Sequence, residues 1–213
     1  MTRFVLFLFV VVTLFMASAC SDPAADKSKA VTGTATQPAP TTAGKGVKYV
    51  FSQDNSKVDF IGSKVTGSHN GSFEKHSGAV DLVNNKPEES QVTVIIQMDS
   101  VKTDADGLTN HLKSPDFFDV ATYPTAAFTS TEIKAGGDKG ATHTITGNLD
   151  FHGVKKSISF PATIKIEGDA VLVNSEFALN RKDFGVNYPG KVNDLIRDDV
   201  VLKLNIRAER EKR

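Results

Sequence analysis

The sequence predicts an all-β fold: an antiparallel sheet of about eight strands, closed into a barrel, with a short helical insertion. Three observations predict it. From Tyr49 onward apolar and polar residues alternate with period two, turn signals separate the alternating runs, and one stretch alone departs from the pattern. Side chains on a strand point to opposite faces in turn, so each such run has one buried and one wet face. One-sided burial belongs to antiparallel sheets, because parallel strands are covered on both faces. Closing the sheet into a barrel removes its exposed edges.

Ahead of the strands, Arg3 gives a positive start and Phe4 to Met16 form an apolar run broken by Thr13, followed by Ala17, Ser18 and Ala19. That order is the order of a secretory signal. The run is also shorter than the roughly 20 residues a membrane-spanning helix needs. Residues 1–19 are read as a leader. Cys20 is the one cysteine of the chain, so no internal disulfide can form. The small residues before it resemble a bacterial lipobox, although Ala17 stands where lipoboxes usually carry Leu. The resemblance implies a lipid-anchored protein of the cell envelope, acylated at Cys20. With Ser21 rather than Asp in the next place, it also implies an outer-membrane address facing the periplasm. Ordinary cleavage after Ala19 would instead leave a free thiol. From Ser21 to Gly46 the chain is mostly Pro, Ala, Thr, Lys and Gly. Such a segment buries too little apolar surface to offset its ordering entropy, so residues 20–46 are expected to form the acylated Cys and a flexible tether.

The strands follow. Val92, Val94, Ile96 and Met98 share one face; so do Ile145, Leu149 and Phe151; Ile158, Phe160, Ala162, Ile164 and Ile166; and Val200, Leu202, Leu204 and Ile206. Turns are expected at Asp54-Asn55, Asn84-Asn85-Lys86-Pro87, Gly136-Gly137-Asp138, His152-Gly153 and Gly168-Asp169. Between Asp104 and Val120 the apolar residues Leu108, Leu112 and Phe117 recur at near-helical spacing, which predicts the insertion. The barrel is thus expected over residues 47–209, with a charged tail at 210–213. An eight-stranded barrel either fills with side chains or holds one small ligand.

Composition narrows the function. Lys plus Arg number 25 and Asp plus Glu number 25, so no charge excess points to nucleic acid. Phe is used 14 times while Trp is absent and Tyr occurs 3 times, a bias that suits an oily interior. The five histidines form no His-x-x-x-His pair and no Cys/His set, so neither metal nor cofactor is expected. His69 and His76 lie near a predicted turn and are expected to be solvated. Ser100 and Ser114 lack a nucleophile elbow, and no phosphate loop or Rossmann fingerprint occurs, so no catalytic residue is assigned.

The segments His111-Leu112-Lys113-Ser114-Pro115-Asp116-Phe117-Phe118-Asp119-Val120 and Tyr123-Pro124-Thr125-Ala126-Ala127-Phe128-Thr129-Ser130 resemble the YceI-like family. So do Gly62-Ser63-Lys64-Val65, Gly71-Ser72-Phe73, Asp99-Ser100-Val101-Lys102-Thr103, Thr146-Gly147-Asn148-Leu149-Asp150-Phe151-His152-Gly153 and Asn180-Arg181-Lys182-Asp183-Phe184-Gly185. The ordered set spans about residues 47 to 209. It implies a lipocalin-like extended antiparallel barrel whose interior binds a polyisoprenoid or other long-chain, isoprenoid or fatty, lipid, as carrier, store or sensor. The alternatives are a non-catalytic structural or interaction module with a filled core, and an enzyme acting on lipid.

On the lipid-binding expectation the candidate ligand-binding residues are Phe60, Phe73, Phe117, Phe118, Phe128, Phe151, Phe160, Phe177 and Phe184, joined by Leu112, His111 and Arg181. His111 either caps the helix into the barrel or meets a head group. Arg181 either pairs with Asp183, fixing the Phe184-Gly185 turn, or meets a head group. Adjacent Phe117 and Phe118 cannot both point inward in regular structure, so one is expected under the helix and the other at the barrel mouth.

Overall fold

The computed structural model describes residues 22–37 and 46–212. The expectations for the leader and for Cys20 fall outside these residues. Two short strands, β1 (Ser28–Lys29) and β2 (Val31–Thr34), precede the domain proper. There, β3 (Val47–Ser52) and β4 (Lys57–Lys64) make one long strand interrupted at the Asp54-Asn55 turn, and β5 (Gly67–Phe73) with β6 (His76–Val83) returns along it. β7 (Lys86–Gln97) and its continuation β8 (Val101–Thr103) come next, followed by the helix α1 (Asp106–Lys113). β9 (Thr125–Ala135), β10 (His143–Phe151), β11 (Val154–Glu167) and β12 (Ala170–Asn180) form a meander. A small hairpin of β13 (Gly190–Lys191) and β14 (Asp194–Leu195) precedes the last strand, β15 (Asp199–Arg210).

Every ladder within the domain is antiparallel, and β15 pairs with β12 on one edge and with β4 and β3 on the other. This closes an eight-stranded barrel, counting β3–β4, β5–β6 and β7–β8 as one strand each. The turn chemistry explains the tight reversals. Asn84 and Asn85 have φ of 50° and 57°, and His152 and Gly153 have 53° and 72°, so both hairpins turn through two left-handed residues. That conformation follows the right-handed twist of the flanking strands. The helical insertion is a single eight-residue helix followed by turns through Thr122. Leu108 and Leu112, one turn apart, face the barrel interior.

The wall is not uniform. β11 and β12 pair only between Thr163↔Asn174 and Glu167↔Ala170. Pro161, two residues beyond the end of that ladder, has no N–H to donate, and proline inside a sheet is confined to free edges. The strands part there, and residues 28–34 enter the gap. β1 lies parallel to β12 at Phe177 and Ala178, and β2 lies antiparallel to β11 from Lys156 to Ser159. Residues 22–37 are therefore a strap laid into the wall, not the free tether that their composition predicts; residues 38–45 lie outside the described segments. The physical reason is that the strap's partners are the unpaired backbone edges of β11 and β12, which a small-residue segment can satisfy. Ala24 covers Ala178 and Val201 on the outer face, and Asn148 both donates to and accepts from the backbone of Thr36. Ser28 donates to Asp138, and Thr32 donates to Asp183 at 2.8 Å.

Two side-chain expectations are corrected. Arg181 does not pair with Asp183. In the 3-10 turn Arg181–Phe184 the two lie two positions apart and point in different directions. Asp183 instead meets Lys156 at 3.5 Å, and Arg181 meets Asp198 at 3.7 Å. His76 is buried rather than solvated, because the chain between β5 and β6 bends without reversing, and its Nδ1 lies 3.0 Å from the Phe73 carbonyl. His69 is partly exposed.

The Ala30 amide donates to the Ala178 carbonyl at 2.8 Å, so Ala30→Pro removes that bond, which contributes roughly 0.5–1.5 kcal/mol. Proteolysis should become faster within residues 24–36, with the barrel's thermal midpoint almost unchanged. Unfolding of the whole domain would show that the strap is integral to the barrel.

Candidate functional site

The inward faces of the strands surround a space they do not fill. A cavity of about 410 Å³ runs inside the barrel, within the range of sites that enclose small ligands. Its wall is apolar almost throughout. Phe118, Phe128, Leu149, Phe151, Leu202 and Leu204 are only partly buried although they point inward, because their free surface looks into this space.

Glycines hold two of the aromatic walls back. A Cβ on Gly71 would come within 2.2 Å of the Phe60 ring, and one on Gly147 within 2.4 Å of the Phe128 ring. Each ring rests against a backbone with no side chain, which keeps it flat to the wall. Phe160 and Phe177, from neighbouring strands, stack at 4.4 Å between ring centres. Phe73 bridges to Phe60 at 5.5 Å and to Phe118 at 6.1 Å, so helix-side and strand-side aromatics join in one wall.

Of the residues singled out from sequence, Phe60, Phe73, Leu112, Phe117, Phe118 and Phe128 line the cavity, as do Phe151, Phe160, Phe177 and Arg181. Phe184 does not; it is fully buried behind Phe151, at 5.8 Å between ring centres. His111 does not either. Its Nε2 lies 2.9 Å from an Asp116 carboxylate oxygen, and its ring meets Phe117 and Tyr188 edge-on, tying the helix end to the following loop. Arg181 is buried, and its guanidinium donates to the carbonyls of Arg197 at 3.0 Å, Val186 at 2.6 Å and Ile196 at 3.4 Å. Burial pushes its pKa below the ordinary guanidinium value, yet arginine remains charged across the working pH range. Its donors hold loop carbonyls.

Phe117 and Phe118 diverge as expected for neighbours, but both reach the cavity wall. Phe117 is buried between His111 and Tyr188, whereas Phe118 is half-buried against Phe73 and Phe151. The aliphatic lining from Val92, Val94, Leu202 and Leu204 was not among the candidates, although alternation places it on the inner face. Nor were the polar residues at one end of the cavity, Ser63, Lys64 and His69.

That end is the mouth, because Lys64 and His69 both line the cavity and have side chains 39% exposed. Lys64 pairs with Asp194, and His69 Nδ1 lies 2.7 Å from Asp104. The Asn70 amide first, then His69, holds the Asp104 carboxyl below the usual carboxylate range; Lys64 first, then Thr66, does the same for Asp194. Both carboxylates are thus ionised near neutrality, and Asp194 offsets the Lys64 charge beside it. Among the described residues no group of His, Cys, Asp and Glu is placed to hold a metal ion.

A closed antiparallel barrel with one short helix and an apolar interior cavity is a lipocalin-type barrel. The YceI-like domain model matches residues 49–208, and the chain belongs to the YceI-like family. A UPF0312 protein of Pseudomonas putida strain F1 is 35% identical over 136 residues, covering 61% of this chain and 70% of that one. A UPF0312 protein of Pseudomonas fluorescens strain SBW25 is 33% identical over 139 residues, covering 62% and 71%. Among solved structures, Burkholderia cenocepacia BcnA superposes with a TM-score of 0.63 at 24% identity, covering 72% of this chain and 96% of its own. A polyisoprenoid-binding domain from Saccharophagus degradans, implicated in plant cell wall breakdown, gives 0.61 at 17% identity, covering 78% and 99%. At such identities the likeness carries the fold.

The two adjacent phenylalanines should separate in experiment. Phe117→Ala removes a buried ring that packs against His111 and Tyr188 and is expected to cost about 3–5 kcal/mol, the usual range for a core Phe. Phe118→Ala loses fewer neighbours and should cost clearly less. Equal shifts in the unfolding midpoint would mean that both are equally packed.

Proposed function

We propose that the protein binds one long apolar lipid, a polyisoprenoid or similar chain, inside its barrel, and that it does so as an envelope lipoprotein anchored through acylated Cys20. The single observation that carries the first half is the unfilled apolar cavity of about 410 Å³. A barrel serving only as a structural module gains stability by closing such a space, since packed interiors leave few voids larger than a water molecule. The match to the YceI-like domain supports the same reading, as does the likeness to a polyisoprenoid-binding domain.

The chemistry follows from the lining. Burial of tail surface contributes about 25 cal/mol per Å², so affinity needs no charged contact along the chain. The wall offers aromatic and aliphatic surface and few hydrogen-bonding groups, so it accepts apolar length rather than a particular functional group. The reading is non-catalytic: a carrier, store or sensor of lipid. The anchoring half rests on the leader-like start and the small residues before Cys20.

Two outcomes test the reading. Ala126 is buried and lines the cavity, so Ala126→Phe should occupy ligand space with the fold kept. Native mass spectrometry of protein purified from its own host should show a retained lipid mass on the parent chain and its loss in this variant; bare parent protein would sink the lipid reading. For the anchor, Cys20→Ala should leave the domain folded and release it from membranes. Persistence in the membrane fraction after a high-salt wash would refute acylation.

A further inference from the structure

We infer that the cavity mouth is also a membrane-contacting surface, on which the β4–β5 turn and the β13–β14 hairpin sit against a lipid bilayer. The inference rests on the proposed lipid cavity and anchor and adds an orientation that neither supplies.

The first observation is where apolar surface is left exposed. Val65, at the β4–β5 turn, and Val192 and Leu195, on the small hairpin, are 54%, 91% and 50% exposed. They belong to one tip. The Val65 amide donates to the Leu195 carbonyl at 3.1 Å, Thr66 donates through its amide and hydroxyl to Asp194, and Lys64 bridges to Ile196. The other large exposed apolar side chains among the described residues, Val31, Val47 and Ile95, lie singly on other strands. Single exposed apolar residues are ordinary, whereas a grouped set marks a contact surface.

The second observation is what the tip surrounds. Gly62, Ser63, Lys64, His69 and Ile196 belong to the same two hairpin regions and line the cavity. Lipid leaving the barrel there meets apolar side chains before it meets water.

The third observation identifies the occupant. Asp22, the first described residue, accepts from Arg197 at 3.3 Å, and the Arg197 amide donates to the Ser63 carbonyl at 2.8 Å. The strap thus begins at the mouth end. Cys20 stands two residues earlier in the chain, and an extended chain spans at most about 3.3–3.6 Å per residue. The backbone at Cys20 therefore stands no more than about 7 Å from Asp22, and acyl chains on its side chain would enter the bilayer beside the exposed tip. A long free tether would have left the orientation open; a strap pinned at Asp22 does not. Two of the tip charges are paired within the protein, Lys64 with Asp194 and Arg197 with Asp22, and exposed Lys191 adds one further cation. The contact is carried by the apolar side chains, so a zwitterionic bilayer suffices to test it.

The chain has no tryptophan, so one introduced Trp reports its own surroundings. Val192→Trp and Leu195→Trp, with Ile95→Trp on the barrel wall as reference, are made in the full exported chain and mixed with phosphatidylcholine vesicles carrying brominated acyl chains. Emission at 192 and 195 should shift to the blue and be quenched, while emission at 95 stays unchanged. No shift at 192 and 195, or an equal shift at 95, overturns the inference. A shift that grows with protein concentration in the absence of vesicles overturns it in favour of a second copy of the chain. Retained lipid, measured separately, reports on the cavity: tip contact without retained lipid keeps the docking surface and removes the cavity reading.

Discussion

The ladder between β12 and β15 is the constraint on which the rest of the molecule depends. It runs without a break from Ala170↔Glu209 to Asn180↔Asp199 and joins the last strand to the end of the meander. Without it the sheet is open, and its edge strands expose unpaired backbone groups. With it, Val200, Leu202, Leu204 and Ile206 face an enclosed interior shared with β3–β7 and with β9–β12. Between them on β15, Val201 points outward and is nonetheless fully buried, beneath Ala24 of the strap and beside Ile61. One strand thus supplies the seam, part of the cavity wall and the seat of the N-terminal segment.

Closure also explains why the interior can stay unfilled. Backbone hydrogen bonds around the barrel carry the wall, so its shape does not require side chains meeting across the middle. Glycines at 71 and 147 take rings that would otherwise project inward. The gap where β11 and β12 part near Pro161 is filled by backbone from the chain's own beginning. The strap therefore does two things at once: it completes the wall and brings Asp22 to Arg197 beside the mouth. The paired charges at that mouth leave the apolar interior as the dominant recognition surface.

Much of this was legible in the residues. Period-two alternation in Val92–Met98, Ile158–Ile166 and Val200–Ile206 identifies faces that do line the interior or the core, because side-chain direction on a strand is fixed by geometry. The hairpins at Asn84-Asn85 and His152-Gly153 were legible because few residues tolerate positive φ. The strap was not. Ala24, Ser28, Ala30 and Gly33 carry no apolar periodicity, and what binds them is the free edge of strands distant in sequence. Pro161 was the available signal, since a proline inside an alternating run marks an edge. Choosing candidates by aromatic type found Phe60 and Phe128 but passed over the aliphatic wall, and it admitted Phe184, whose burial behind Phe151 depends on the following turn. The roles of Arg181 and His111 depend on carbonyls and a carboxylate placed by loops, which spacing in sequence does not report.

The central claim is that the space inside the barrel belongs to a ligand and not to the protein's own side chains. A crystal structure of the protein isolated from its own host, without delipidating detergent, tests it most directly. The account predicts continuous, chain-like density that passes the Phe160–Phe177 stack and leads toward Ser63 and Lys64, with the rings of Phe118, Phe128 and Phe151 held against the wall. Those rings turned inward to close the space, with no foreign density between them, would contradict it.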